Sequence, residues 1–296
     1  MTTIADRIGG APISWGVCEA PGWGHELPPE LVLTEMRALG LRATELGPTG
    51  YLGQRPADVR ALLDRHELRL IGGFLPVPMH ACSGEDLDDA RAAIATLAEA
   101  GAEVVVLAAR SADGSYDHKV RLTGDEWAAL LVTLDRLRQL ADDHGLTATL
   151  HPHVGTAIED RAAVLRLLDD SGVLLCLDTG HLLIGGMDPF ELVSRAADRI
   201  AHVHLKDVRS SISVGVSQGD VGYLAAVRAG LYAPLGDGDL DIGGIVGALE
   251  RSGYRGWYVL EQDCALYAAP EAGTGPGQDV RRSVEFLSTM SAEVAR

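Results

Sequence analysis

The chain has 296 residues, room for one large α/β barrel or two smaller domains. Hydrophobic residues make up 47% and aromatics only 5%, so Val, Leu, Ile and Ala must fill the core, as in buried parallel strands. With 42 acidic against 25 basic side chains the formal charge is −17, a field that repels phosphate backbones and argues against a nucleic-acid partner.

No apolar stretch approaches membrane-spanning length, and the N-terminus lacks a basic segment followed by an apolar run. The expectation is a cytoplasmic protein with no membrane partner. Cys18, Cys82, Cys176 and Cys264 are far apart and form no CxxC pair, so neither a disulfide framework nor a cysteine zinc site is expected. Cys176 and Cys264 fall in apolar strand-like runs, where a thiol acts as a small hydrophobe.

In chain order, a β-like run at 11–15 precedes a helical pattern at 29–39, and a strand at 43–46 precedes a helix at 57–65. The alternation continues with strands at 69–75 and 104–108, each followed by a helix, at 87–100 and 127–143. Strands at 147–151, 174–178 and 201–206 follow, with helices at 162–169 and 190–197 between them. A helix at 242–252 and a strand at 257–262 complete the series. Gly40, Gly101, Gly145 and Gly253 stand where a helix C-terminus favours a left-handed residue. Eight β/α repeats predict a closed (β/α)₈ TIM barrel as one domain over 1–296, with an open doubly wound sheet as the alternative. The irregular stretch at about 208–241 reads as an insertion over the C-terminal mouth, acting as a lid or an interface.

Polar residues gather at the predicted strand ends, the active face of a barrel. Glu45 ends the second strand, His151 and His153 the fifth, and Asp178 and His181 the sixth. His202, His204, Lys206 and Asp207 end the seventh, and Glu261, Gln262 and Asp263 the eighth. Alternation puts His151 and His153 on one side of their strand, and His202, His204 and Lys206 on one side of theirs. A His/Asp/His/Glu set converging from four strands is a natural divalent-metal site, suited to Mn²⁺, Co²⁺, Zn²⁺ or Fe²⁺ and not to Ca²⁺. Alone, any such residue can be structural, satisfied by backbone or capping the next helix. His202 reads as a packing residue. Lys206 could act as an acid, bind a substrate hydroxyl or simply pair with Asp207. Trp15 and Trp23 could wall a sugar ring or pack a loop. Gly185-Gly186 reads as a turn, without the context of a nicotinamide site.

The segments LHPHVGT (150–156), CLDTGH (176–181), HVHLKDV (202–208) and VLEQD (259–263) resemble the xylose isomerase-like barrel superfamily. The resemblance extends from ISWG (13–16) and TELGP (44–48) onward and is closest to the inosose dehydratase group, which shares the PLGDGDLD-like stretch (234–241). It implies metal ligands His151, Asp178, His204 and Glu261, with Mn²⁺ or Co²⁺ foremost and Zn²⁺ or Fe²⁺ also suitable. The related epimerases use two metal-bound glutamates, and His151 stands in place of the first. An imidazole bound to metal has lost that lone pair, so the pattern favours dehydration of a keto-inositol over two-base epimerisation. Glu261 is then the expected base, and His153, His181 and Lys206 are the candidate acids or substrate contacts. Glu45 would bind substrate hydroxyls or assist proton transfer, and Trp15 would face the substrate.

The expected partner is a small polyhydroxylated ketone, and the resemblance adds a homo-oligomer. The alternatives are a sugar isomerase, epimerase or keto-glycoside lyase with the same chemistry, a DNA-repair endonuclease, and a silent sugar-binding barrel. The Ala108-Ala109-Arg110 end of the fourth strand and the acidic charge oppose the endonuclease. A full ligand set opposes the silent barrel.

Overall fold

The computed structural model describes residues 3–271 and 274–294. Seven parallel strands come first: β1 (Ile8–Gly10), β2 (Ala43–Glu45), β3 (Arg69–Val77), β4 (Val104–Ala109), β5 (Thr147–Leu150), β6 (Leu174–Asp178) and β7 (Ile200–Leu205). After the short β8 (Asp207–Val208) and β9 (Tyr232–Ala233), β10 (Tyr258–Leu260) pairs with both β7 and β1 and closes an eight-stranded barrel. Closure eliminates the open doubly wound sheet.

Local chemistry explains the helices around it. In helix Gly84–Ala100, Ser83 caps the N-terminus by accepting from the Asp86 backbone N–H, and Asp86 returns the bond to Ser83. Ala90, Ile94 and Leu97 recur at helical spacing and are buried, and Gly101 ends the helix in the left-handed region at φ 95°. Burying a leucine such as Leu97 contributes roughly 2 kcal/mol.

The first strand departs from expectation. It lies at Ile8–Gly10, and Pro12–Trp15 forms a 3₁₀ turn instead. Pro12 has no N–H for a central ladder, so the chain turns there. The paired glycines, poor strand formers in isolation, are fixed by contact. A Cβ on Gly9 would stand 2.8 Å from Ile71 Cδ1, and one on Gly10 would stand 3.0 Å from Leu41 Cδ1. The β10 run is also shorter than expected, and Cys264 lies in the loop beyond it, not in a strand.

Strand alternation divides the barrel interior into two zones. Below, Ala43, Ile71 and Val259 cluster near Val104, Val106 and Cys176 as apolar filling. Above, the next inward positions are polar: Glu45 follows Ala43, Asp178 follows Cys176, and Glu261 follows Val259 two residues on. The register places Asp178 and Val259 beside His204. No described helix is long and apolar enough to cross a membrane.

The segment after β7 folds as helices Ser210–Gln218 and Tyr223–Arg228 with the antiparallel pair β8–β9. Its own apolar cluster includes Val208, Val216, Tyr223, Leu231 and Tyr232, together with Trp23 from the β1 loop. Asp207 fixes its return path. Its buried carboxylate accepts backbone N–H bonds from Val208, Gly236, Gly238 and Leu240 at 2.9 to 3.1 Å. Lys206 does not pair with Asp207, as the sequence had allowed; successive strand-end residues face opposite ways. Asp207→Ala strands these donors, so we expect a loss on the order of 3 kcal/mol in urea unfolding, with new protease cuts within 208–241. Unchanged stability and protection would remove Asp207 from this role.

Candidate metal centre and active site

Four side chains from consecutive barrel strands meet above the apolar filling. One ligand-type atom from each of His151, Asp178, His204 and Glu261 lies within 4.8 Å of every other, and all four residues are buried. Their neighbours fix which atoms are free. His151 Nδ1–H donates to Pro152 O at 2.7 Å, leaving the Nε2 lone pair 3.5 Å from Asp178 Oδ2. Asp178 Oδ1 accepts from the His181 backbone N–H at 2.8 Å and so caps helix Thr179–Ile184, while Oδ2 has no hydrogen-bond partner. The structural and the metal-binding readings of this aspartate therefore fall on different oxygens of one carboxylate.

Glu45 settles the orientation of His204. Its Oε1 accepts from His202 Nε2 at 2.8 Å and from His204 Nε2 at 3.0 Å. Burial pushes the Glu45 carboxyl up, but His204 and His202 outweigh it and hold the group at about 2. A carboxylate only accepts, so both Nε2 atoms carry protons, and His204 Nδ1 faces the cluster in ion-pair contact with Glu261 Oε2, where a bound cation would take the place of the proton. Asp178 Oδ2 is buried without a hydrogen-bond partner, and His204 Nδ1 and Glu261 Oε2, equally buried, meet each other as an ion pair. Buried polar atoms are rarely left this way, and a divalent cation would satisfy all three. The residues fit the metal that the family implies.

Behind Glu261 lies a buried ammonium. Lys206 Nζ is 2.8 Å from Glu261 Oε1, 2.5 Å from Asp263 Oδ1, 3.7 Å from Asp178 Oδ2 and 3.2 Å from His181 Nε2. Burial opposes its charge, but Asp263, Glu261 and Asp178 hold its pKa well above the ordinary lysine value. Gly180 makes room for this packing, since a Cβ there would approach Lys206 Cβ to 2.8 Å and Tyr232 Cε1 to 2.9 Å.

A cavity of about 870 Å³ opens above the cluster. Glu45, His153, His204 and Glu261 line it, whereas His151, Asp178, His181 and Lys206 lie outside its lining. His153 is held neutral: burial, with His151 and Lys206 adding to it, pushes its pKa down to about 3. Its Nδ1–H donates to Val154 O at 2.7 Å, and its ring stacks on His181 at 3.8 Å between centroids.

Trp15 corrects the sequence reading. It is fully buried beside Met36 and Leu41 on the outer side of β1, and its Nε1–H donates to Glu35 at 2.7 Å, so it cannot face a substrate. The 3₁₀ turn that displaced the predicted strand carries it there. Trp23 lines the cavity instead, donating to Cys264 O at 2.7 Å. Tyr223, Asp263, Tyr116, Phe74 and Arg110 also line it and were not singled out as site residues. For Asp263 the period-two spacing from Glu261 was a usable signal; for Tyr223 no sequence signal existed.

If these atoms hold a cation, Asp178→Ala should weaken divalent-metal affinity by at least about 100-fold in calorimetry, and Glu45→Gln by roughly 10- to 100-fold through loss of His204 orientation. Wild-type affinity in the Asp178 variant would overturn the assignment.

Comparison with known proteins agrees with this architecture. The family model described as xylose isomerase-like TIM barrel matches residues 33–290. An inosose dehydratase of Geobacillus kaustophilus is 34% identical over 270 residues, covering 87% of each chain. The rhizopine catabolism protein MocC of Rhizobium meliloti is 35% identical over 265 residues, covering 85% of this chain and 80% of that one. Among solved structures, a probable 3-DHS dehydratase, AsbF, from Bacillus anthracis superposes with a TM-score of 0.72 at 15% identity, covering 95% of this chain and 98% of that one. The chain belongs to the xylose isomerase-like TIM barrel family.

Proposed function

We propose that the protein is a metal-dependent hydro-lyase that removes water from a keto-inositol. The observation that carries this reading is the unequal exposure of the four ligand-type residues. Glu261 is the carboxylate among them that lines the cavity; Asp178 is buried behind it, and the β5 position is His151. His151 has one nitrogen donated to Pro152 O and the other turned into the cluster, so it offers no second base on the opposite face. That arrangement supports one-base elimination over two-base epimerisation. The full-length similarity to an inosose dehydratase supports the keto-inositol as substrate.

His151, Asp178, His204 and Glu261 would hold the cation. Bound there, a divalent ion such as Mn²⁺, Co²⁺, Zn²⁺ or Fe²⁺ supplies a Lewis acid that polarises a ketone and lowers the cost of removing its α-proton. Glu261 accepts that proton at the cavity floor. Lys206 fixes Glu261 from behind through Oε1, and Glu45 keeps His204 aligned, so the base is presented in one geometry. His153 faces the cavity as a neutral imidazole suited to a substrate hydroxyl, and Trp23 and Phe74 provide flat apolar surface for a ring. The acidic surroundings favour an uncharged polyol over a phosphorylated sugar.

Metal-loaded protein should convert 2-keto-myo-inositol to a product lighter by one water, detected by mass spectrometry, and chelator should abolish the reaction. Glu261→Gln should lower turnover by at least about 1,000-fold. An unchanged substrate mass, with inversion at the α-carbon by proton NMR in D₂O, would replace the dehydratase reading with an isomerase one.

A further inference from the structure

Elimination of water needs a proton at the departing hydroxyl as well as a base at the α-carbon. Of the acids suggested by the sequence, Lys206 and His181 lie outside the cavity lining, and the one ring proton of neutral His153 is fixed on Nδ1 toward Val154 O, so its other nitrogen can only accept. We infer that Tyr223, delivered by the insertion after β7, is the catalytic acid that protonates the leaving hydroxyl.

The geometry is specific. Tyr223 is buried, lines the same cavity as Glu261 and Asp263, and belongs to a helix outside the barrel wall. Its oxygen is held on two sides, donating to Asp263 Oδ2 at 2.6 Å and meeting Tyr232 OH at 2.8 Å, and rotation of the hydroxyl hydrogen about the C–O bond would turn the proton from Asp263 to a substrate oxygen. Its ring packs near His153, His181, Tyr116 and Trp23 at centroid distances of 5.8 to 6.4 Å, which fixes its plane. Asp263 Oδ1 in turn accepts from Lys206, which also contacts Glu261. Acid and base are thus linked through Asp263 and one ammonium, and both line the cavity. Burial keeps the Tyr223 hydroxyl protonated well beyond neutral pH, with Asp263 and Tyr232 adding to it.

The step balances without a further reactant. Glu261 takes the α-proton, the α-carbon electron pair forms the new double bond, and the β-carbon–oxygen bond breaks. The Tyr223 proton goes to the departing oxygen, which leaves as water. Water in the cavity then returns a proton to the Tyr223 oxygen, and the hydroxide so formed removes the proton from Glu261.

This inference rests on the dehydratase reading, and one set of measurements separates the two. With wild-type protein, water loss and α-proton exchange in D₂O are followed on the keto-inositol; absence of both would overturn the substrate assignment and the acid role with it. With Tyr223→Phe, water loss should fall by roughly 100- to 10,000-fold while exchange and metal affinity stay within a few-fold of wild type. A β-fluoro analogue, whose leaving group needs no proton, should eliminate fluoride from the variant at near wild-type rate. Water loss within three-fold of wild type, or parallel loss of exchange and both eliminations, would overturn the acid role while leaving the reaction class standing. Should the variant melt below assay temperature, 3-fluorotyrosine at position 223 serves instead. A changed rate of water loss with unchanged fluoride loss supports the acid, and two unchanged rates refute it.

Discussion

Four carboxylates, those of Glu45, Asp178, Glu261 and Asp263, are buried within one barrel mouth, and the rest of the site follows from how their charge is met. Burying unpaired carboxylates in low dielectric costs several kcal/mol each. Lys206 contacts three of them and the His202–His204 pair holds the fourth. One ammonium does not balance three carboxylates, and the remaining negative charge is concentrated where Asp178 Oδ2 and Glu261 Oε2 converge on His204 Nδ1. A divalent cation would supply the missing positive charge.

The seventh strand carries much of this organisation on a few consecutive residues. His202 and His204 turn inward to Glu45, Lys206 braces Glu261 and Asp263, and Asp207 turns away to bind the backbone of the returning insertion. The insertion is thereby tied to the strand that orders the site, and its helix brings Tyr223 to Asp263. The fold of this segment thus supplies part of the cavity lining.

The sequence revealed most where its signals are local. Helix ends at Gly101 and Gly145, the Asp178 cap and the alternation through His202, His204 and Lys206 are encoded within a few residues of the features they produce. It was weaker where contacts are distant. The strand Ile8–Gly10 contains two glycines that only packing against Ile71 and Leu41 explains, so the reading slid onto the apolar 11–15 run and took Trp15 with it. Glu45 was visible as a strand-end carboxylate, but its partner His202 lies 157 residues away, and its orienting role needed coordinates. Tyr223 lies 40 residues from Asp263, in a segment whose path no periodicity describes.

The lining of the cavity separates two halves of the gene product. Val17, Cys18, Glu19, Trp23, Gly47, Pro48 and Thr49, which line it, all come from loops after the first two strands. The acid–base and ligand residues, apart from Glu45, come from beyond residue 150. The loops that line the cavity and the residues that carry its charge thus belong to different stretches of the chain. Substitutions in these early loops can therefore reshape the cavity while leaving the His151, Asp178, His204 and Glu261 cluster in place.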